Sequence, residues 1–470
     1  MGCLLSTPDV AGETRRRPKN IGEIVVFVPG LRIPMPLDFA QPLGDGLSKS
    51  LVERLSALRT RIVVMAGQEA PMTTKRRRTA TQHGGSTLAD LQQGLEDYLP
   101  VLLGLVENGN QLKHNLQFCW VNQEDEVEET TMSDSWYEVL SVLQLMAILS
   151  LSQANLLLLP NTSADGYQSK VSEVPQPGVA FPIPYSLEDP LTLRKGKCQL
   201  ILRLLCKRAS IDIFLKAAGY LDFAVQQVLP QLPSELRKDL PLDLTEGVLK
   251  ALCLQALGQN GSRGELLSDV QLGYIELTDI QGVEIQLGMA IDSVKATLAV
   301  KRRLACEMVK YWHQAQEHIM DLPLANGWGE KHKLFIRWKH VEAKAVAYYL
   351  HGLILEEGNA EKSAENAAAA LHAAEEYLKE SKKACDSFHM TPPASRNPPL
   401  WGASKYLSER IPKDVSSKTF NWDSENHEMI MQLAPALPDF VLSLKPDDYQ
   451  LPSMDPSWND LQVQNLFPTK

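Results

Sequence analysis

The 470-residue sequence is poor in the features that announce chemistry. It has no GxxxxGK[ST] phosphate loop, no GxGxxG after a strand, no GxSxG nucleophile elbow and no HExxH pair, so the common nucleotide, hydrolase and zinc-protease sites are excluded. His427-Glu428 lacks the second histidine that would place two ligands on one helical face. His313 and His318 are five positions apart, on different sides of a helix, and read as surface or hydrogen-bonded histidines. The 7 cysteines, at positions 3, 119, 198, 206, 253, 306 and 385, form no CxxC pair and read as reduced cytosolic thiols. No cofactor or metal is expected. There is no excess of basic charge either: the net charge of -10 disfavours nucleic acid, and any basic region must be local. A secretory leader is missing, because Pro8, Asp9 and Glu13 interrupt the first residues before an apolar segment can form. The lack of a catalytic constellation points away from an enzyme.

What is present is enough apolar material to build a large core, with 44% hydrophobic and 22% charged residues. The most apolar stretch runs from Trp136 to Leu159. It contains Glu138, Gln144, Gln153 and Asn155, whose burial in hydrocarbon would cost kilocalories each, so it reads as a core helix rather than a membrane span.

The sharpest local signal is the start, Met1-Gly2-Cys3-Leu4-Leu5-Ser6, which fits the pattern for N-myristoylation of Gly2. Glycine is required there because it leaves the α-amine unobstructed for acyl transfer. Cys3 offers an adjacent thiol for a palmitoyl chain. One myristoyl group gives only marginal binding, of order 10⁴ M⁻¹, whereas two signals anchor stably. Arg15, Arg16, Arg17 and Lys19 follow, each adding roughly 1 kcal/mol near an anionic leaflet.

Along the chain, Glu23–Val28 reads as a strand closed by Pro29-Gly30, and Arg61–Met65 as either a strand or the end of a helix over Leu47–Leu58. Lys75–Ser86 is a basic loop, with Ser86 placed as an N-cap for the helix after it. Its KRRR run, without interleaved aromatics, reads as a solvated loop. From there to about residue 385 the helical period dominates. It is interrupted by an acidic, exposed loop at Glu124–Asp134 and by the proline-rich Pro160–Pro190. Helices are expected at Lys195–Val228, Thr245–Leu257, Val283–Ala315 and Leu334–Glu357, stacked antiparallel. In Lys362–Cys385, Ala364, Ala367, Ala368, Leu371, Ala374 and Leu378 share one face, which lets a neighbouring helix approach closely. No strict repeat of tetratricopeptide length is visible. Beyond Pro392 the chain is proline-rich and carries Trp401, Tyr406, Trp422, Tyr449 and Trp458, which are expected to anchor it along the helical body. The alternative is disorder after Pro446.

The segment WGEKHKLFIRWKHVEAKAVAYYLHGLILEEG at 328–358 resembles the Bro-one (BRO) domain family, whose members accompany the ESCRT membrane-remodelling machinery. Three further blocks are similar to that family in the right order: 136–154, FLKAAGYLDF at 214–223 and LTEGVLKALCLQALGQ at 244–259. The likeness is strongest to short plant-type and Brox-like members. It departs from them at 421–431, and the chain ends Phe467-Pro468-Thr469-Lys470 without a prenyl signal. The resemblance implies a mostly α, elongated and curved helical solenoid with a tetratricopeptide-like core and a small N-terminal β-sheet. It also implies a concave apolar surface that receives the C-terminal amphipathic helix of an ESCRT-III subunit. Val248 and Leu252, four apart on the helix that looks groove-lining, are the expected peptide contacts, with core packing as the other reading.

The chain then divides into a lipidated anchor tail (1–20), a BRO domain (21–445) and a C-terminal tail (446–470). It is expected at the cytosolic face of an endosomal or plasma membrane, with a cytosolic pool. A general tetratricopeptide-like signalling scaffold at the plasma membrane is the alternative.

Overall fold

The computed structural model describes residues 26–43, 47–69, 88–108, 116–123, 129–158, 190–259, 287–288, 290–291, 296–324, 328–358, 361–398, 404–417, 433–442 and 444–461. Of these, the side chains of 69, 108, 190–205, 328, 361–363, 404–407, 417 and 459–461 are left out of the description. The long helices, in chain order, are α1 (Lys49–Glu69), α2 (Leu88–Asn108), α3 (Ser135–Leu158), α4 (Pro190–Phe223), α5 (Glu246–Gln259), α6 (Leu298–Met320), α7 (Trp328–Glu356), α8 (Glu361–Met390) and α9 (Ser404–Ser417). Each packs on its neighbour in sequence from α1 to α9, which gives a stacked helical array. The expected fold class is the observed one.

Local chemistry sets the ends of these helices. Ser48 caps α1 through the Leu51 amide (3.4 Å), and Asp134 caps α3 through the Trp136 amide (2.8 Å). The Thr297 hydroxyl accepts from the Val300 amide (3.4 Å) and starts α6 at Leu298, while residues 287–288 and 290–291, also within the expected Val283–Ala315 helix, are helical ahead of that cap. Arg61–Met65 continues α1 and is not a strand. At its C-terminal end α4 loosens into a π turn, Ala224–Val228.

Strands β1 (Arg32–Pro34), β2 (Phe118–Asn122) and β3 (Glu129–Met132) form an antiparallel sheet in that order. Ile33 lies opposite Val121, and Trp120 lies opposite Thr130. Two expectations change here. Val26–Val28 lies outside the ladder, with residues 23–25 of that expected strand outside the described residues, and part of the acidic loop at 124–134 is a strand. The physical reason is that Thr130 and Thr131 are β-branched and pair with Trp120 and Cys119, which outweighs the polarity of Glu129.

Helix α3 is long and apolar enough to cross a membrane by composition, but 78% of its apolar window is buried within the fold. Its charged residue is satisfied inside the core. Glu138 pairs with Arg59, accepts from the Trp120 indole (2.7 Å) and accepts from the Tyr98 hydroxyl (3.2 Å). A second buried network ties the sheet to the helices: Arg32 donates to both oxygens of Asp243 (2.9 and 3.1 Å) and to the Tyr137 hydroxyl (3.1 Å), while Asn122 donates to Asp243 (3.0 Å). Removing either partner of such a pair strands a buried charge, at a cost of roughly 3–5 kcal/mol.

The alanine face of α8 meets α7 as expected. Ala367, Leu371, Ala374 and Leu378 are buried, while Ala364 is exposed. The approach is close: a Cβ on Gly352 of α7 would stand 2.8 Å from the Leu371 side chain. The aromatic expectation beyond Pro392 also holds where it is described. Tyr449 and Trp458 pack on the body, and residues 446–461 of the expected separate tail lie against the helices. Trp401, Trp422 and the side chain of Tyr406 lie outside the described residues.

A candidate helix-binding cleft

The candidate site residues of the sequence fall into two groups. Gly2, Cys3, Arg15, Arg16, Arg17 and Lys19 lie outside the described residues. Val248 and Leu252 are 0% and 1% exposed, so both face the core and neither offers a surface to a partner. Their helix, α5, is sandwiched between α4 and α6. Apart from Glu246 and Lys250 it carries no charge, and a helix apolar around most of its girth is a buried one. Gln255, its one central amide, is consumed internally, donating to the Phe27 carbonyl (2.8 Å) and accepting from His332 (2.9 Å).

An apolar cleft opens instead where the first turn of α6 meets the second half of α7. Ile291, Leu298, Val346, Tyr349, Leu350 and Leu353 line it, with Lys301 among them, around a cavity of ≈ 50 Å³. That volume suits the tip of one aliphatic side chain. The spacing 346, 349, 350, 353 is the i, i+3, i+4, i+7 stripe of a helix face, and 298 and 301 give the matching pair on α6.

Tyr349 is fixed by its hydroxyl, which donates to Asp414 of α9 (2.7 Å), so its ring is held as a wall. Beside the cleft Arg302 donates to His351 Nδ1 (3.2 Å), which requires the neutral imidazole with its proton on Nε2. Burial, and then the Arg302 charge, hold His351 below the usual histidine range, in agreement with that tautomer. The result is a greasy notch bordered by Lys301 and Arg302. That chemistry suits an apolar side chain on a helix whose flanking residues are acidic. The signal in the sequence was the pairing of Leu298-Ala299-Val300-Lys301-Arg302 with the stripe on 346–353, visible only once α6 and α7 are known to be neighbours.

Among the described residues no group of three or more His, Cys, Asp or Glu side chains could hold a metal ion. The Cys306 thiol is buried and the Cys385 thiol half-buried. Burial pushes Cys306 up to about 11 and Cys385 up to about 12.

No family model matches the chain, and no curated protein matches it. Solved structures do. ALIX in complex with the SIVmac239 PYKEVTEDL late domain superposes over 92% of this chain with a TM-score of 0.54 and 14% sequence identity. The fold is Bro1-like. A structure described as the basis for endosomal targeting by the Bro1 domain covers 94% of this chain and 97% of its own, with a TM-score of 0.49 and 13% identity. The ALIX BRO1 CHMP4C complex covers 92% and 96%, with a TM-score of 0.49 and 14% identity. This chain spans 50% of the first ALIX chain, so the Bro1-like body corresponds to half of that larger protein. At such identity the likeness is one of fold, and the cleft between α6 and α7 is a property of this chain's own residues.

Proposed function

We propose that this chain is a non-enzymatic, membrane-tethered adaptor that binds the C-terminal amphipathic helix of an ESCRT-III subunit during endosomal sorting. The observation that carries the reading is the Bro1-like architecture over 92% of the chain, superposed on ALIX. The sequence blocks at 136–154, 214–223, 244–259 and 328–358 resemble the Bro-one family independently of that superposition. The cleft supports the same reading, because its apolar stripe and adjacent Lys301 and Arg302 match an amphipathic helix with acidic flanks.

Membrane attachment rests on the first residues. Gly2 is the N-myristoylation site, Cys3 takes a palmitoyl chain, and Arg15, Arg16, Arg17 and Lys19 add attraction to anionic lipid. The protein then works at the cytosolic face of endosomal or plasma membranes, exchanging with a cytosolic pool.

Two measurements test the two halves separately. Gly2→Ala moves the protein from the membrane pellet to the soluble fraction, and unchanged partitioning refutes the tether. Purified chain captures an immobilised ESCRT-III C-terminal peptide, and Lys301→Glu weakens that capture. Equal capture by both forms removes the cleft from the binding site.

A further inference from the structure

A stripe of α7 formed by Lys344, Tyr348 and His351 recurs at helical spacing and runs beside Arg302 and Val309 of α6. Arg302 joins the two helices by donating to His351 Nδ1 (3.2 Å). The third wall is α8, whose Tyr377 ring stacks on Tyr348 with centroids 5.4 Å apart and planes 22° apart. Val309, Tyr348 and Tyr377 are half-buried, so an apolar floor lies open between the charged groups.

The net charge of the chain is -10, yet two cations on this face lack a counter-ion. Arg302 has a neutral imidazole for a partner, and its Nε is buried with none. The Lys344 ammonium lies over the Tyr377 ring, 5.4 Å from its centroid, and burial pushes it below the usual lysine range. Glu380 opposes that shift, but Arg337 engages it (3.5 Å). Among the described residues no carboxylate pairs with Arg302 or Lys344. A half-buried charge in this position carries a desolvation cost that an incoming carboxylate offsets.

The spacing selects the shape of the anion. Arg302 is held at His351, two turns along α7 from Lys344, which is about 10 Å at 1.5 Å per residue. Residues two turns apart on a helix share a face and span that distance. An extended chain covers about 10 Å in three residues, which point to opposite sides. A flat anionic leaflet fits poorly, because Glu317, beside His313 (3.5 Å), and Glu380 border the sunken cations.

We propose that this face of α6, α7 and α8 binds an acidic helix that sets two carboxylates two turns apart, one on Arg302 and one on Lys344, with an aliphatic side chain between them on Tyr348. The surface meets the cleft between α6 and α7 at Arg302 but takes its second charge from Lys344, and it does not rest on the ESCRT-III reading.

The test is fluorescence anisotropy of the full chain with a labelled, alanine-based helical peptide that carries two glutamates seven residues apart and a leucine midway. The wild type binds it, and moving one glutamate two positions out of register weakens binding at least about tenfold. Lys344→Gln weakens binding of the matched peptide to a similar degree. In that variant, replacing the glutamate that faces Lys344 with glutamine costs nothing further. The cleft variant Lys301→Glu leaves this binding unchanged, so the two sites stand or fall separately. Circular dichroism checks that Lys344→Gln is folded, and the comparison of the two peptides decides on the wild type alone if it is not. No binding by the wild type, equal binding of the matched and shifted peptides, or undiminished binding by folded Lys344→Gln overturns the proposal. So does a loss on Lys344→Gln confined to pelleting with phosphatidylcholine vesicles containing one-fifth phosphatidylserine, which would make the partner a lipid surface.

Discussion

Acid should destabilise this fold through His332, and the size of the effect follows from its surroundings. The ring is fully buried at the start of α7, tilted against Phe27 with centroids 5.8 Å apart. Its Nε2 donates to Gln255 (2.9 Å), whereas Nδ1 has no partner, so a second proton would be a buried, unsatisfied charge. Burial accordingly lowers His332 to about 3 from the ordinary 6.5. The native state then stays neutral while the unfolded chain takes up a proton below about pH 6.5. Stability is complete above that value and is lost as pH falls towards 3, by about 1.4 kcal/mol per pH unit. Between pH 6.5 and 5 the loss from this one residue is about 2 kcal/mol. Urea denaturation at pH 7.5 and 5.0 measures it, against His332→Gln, which keeps a donor towards Gln255 and does not titrate. The variant should lose about 2 kcal/mol less than the wild type over that interval. Equal losses would refute the assignment of the acid sensitivity to His332.

Leu252→Asp should abolish the cooperative melt, because it places a carboxylate at a position only 1% exposed; a variant that melts like the wild type would put Leu252 on a surface. Lys301→Glu should weaken capture of an acidic amphipathic helix about tenfold, or about 1.4 kcal/mol, with the melt unchanged, as read by peptide titration. Gly352→Ala should destabilise by about 1–3 kcal/mol in urea, since its methyl would stand 2.8 Å from the Leu371 side chain and the steric cost exceeds alanine's helical advantage.

The helical period made most of the body legible. Long amphipathic or apolar runs such as 334–357 and 362–385 carry their own register, and the structure starts the first at Trp328 and carries the second on to Met390. What could not be read was pairing at a distance. Strand β3 looked like a solvated acidic loop because its partner, Phe118–Asn122, is recognised only through the sheet they form. The choice between partner contact and core packing at Val248 and Leu252 stayed open for a related reason. Val248 and Leu252 share a helical face, but a face shared within one helix does not say whether another helix covers it. Here α4 and α6 cover both sides of α5. The cleft that is open combines residues from α6 and α7, and the docking of 433–461 joins Trp458 to Gly104 across most of the chain. Neither relation has a local signature.

Phe27 gives the N-terminal thread an unusual mechanical position. Val26 and Phe27 are 2% and 0% exposed, and Phe27 is wedged among His332, Phe335 and Phe388 while its carbonyl holds Gln255. Any tension that reaches Phe27 is therefore carried into the junction of α5, α7 and α8. A chain hauled by its beginning would feel that tension at its centre.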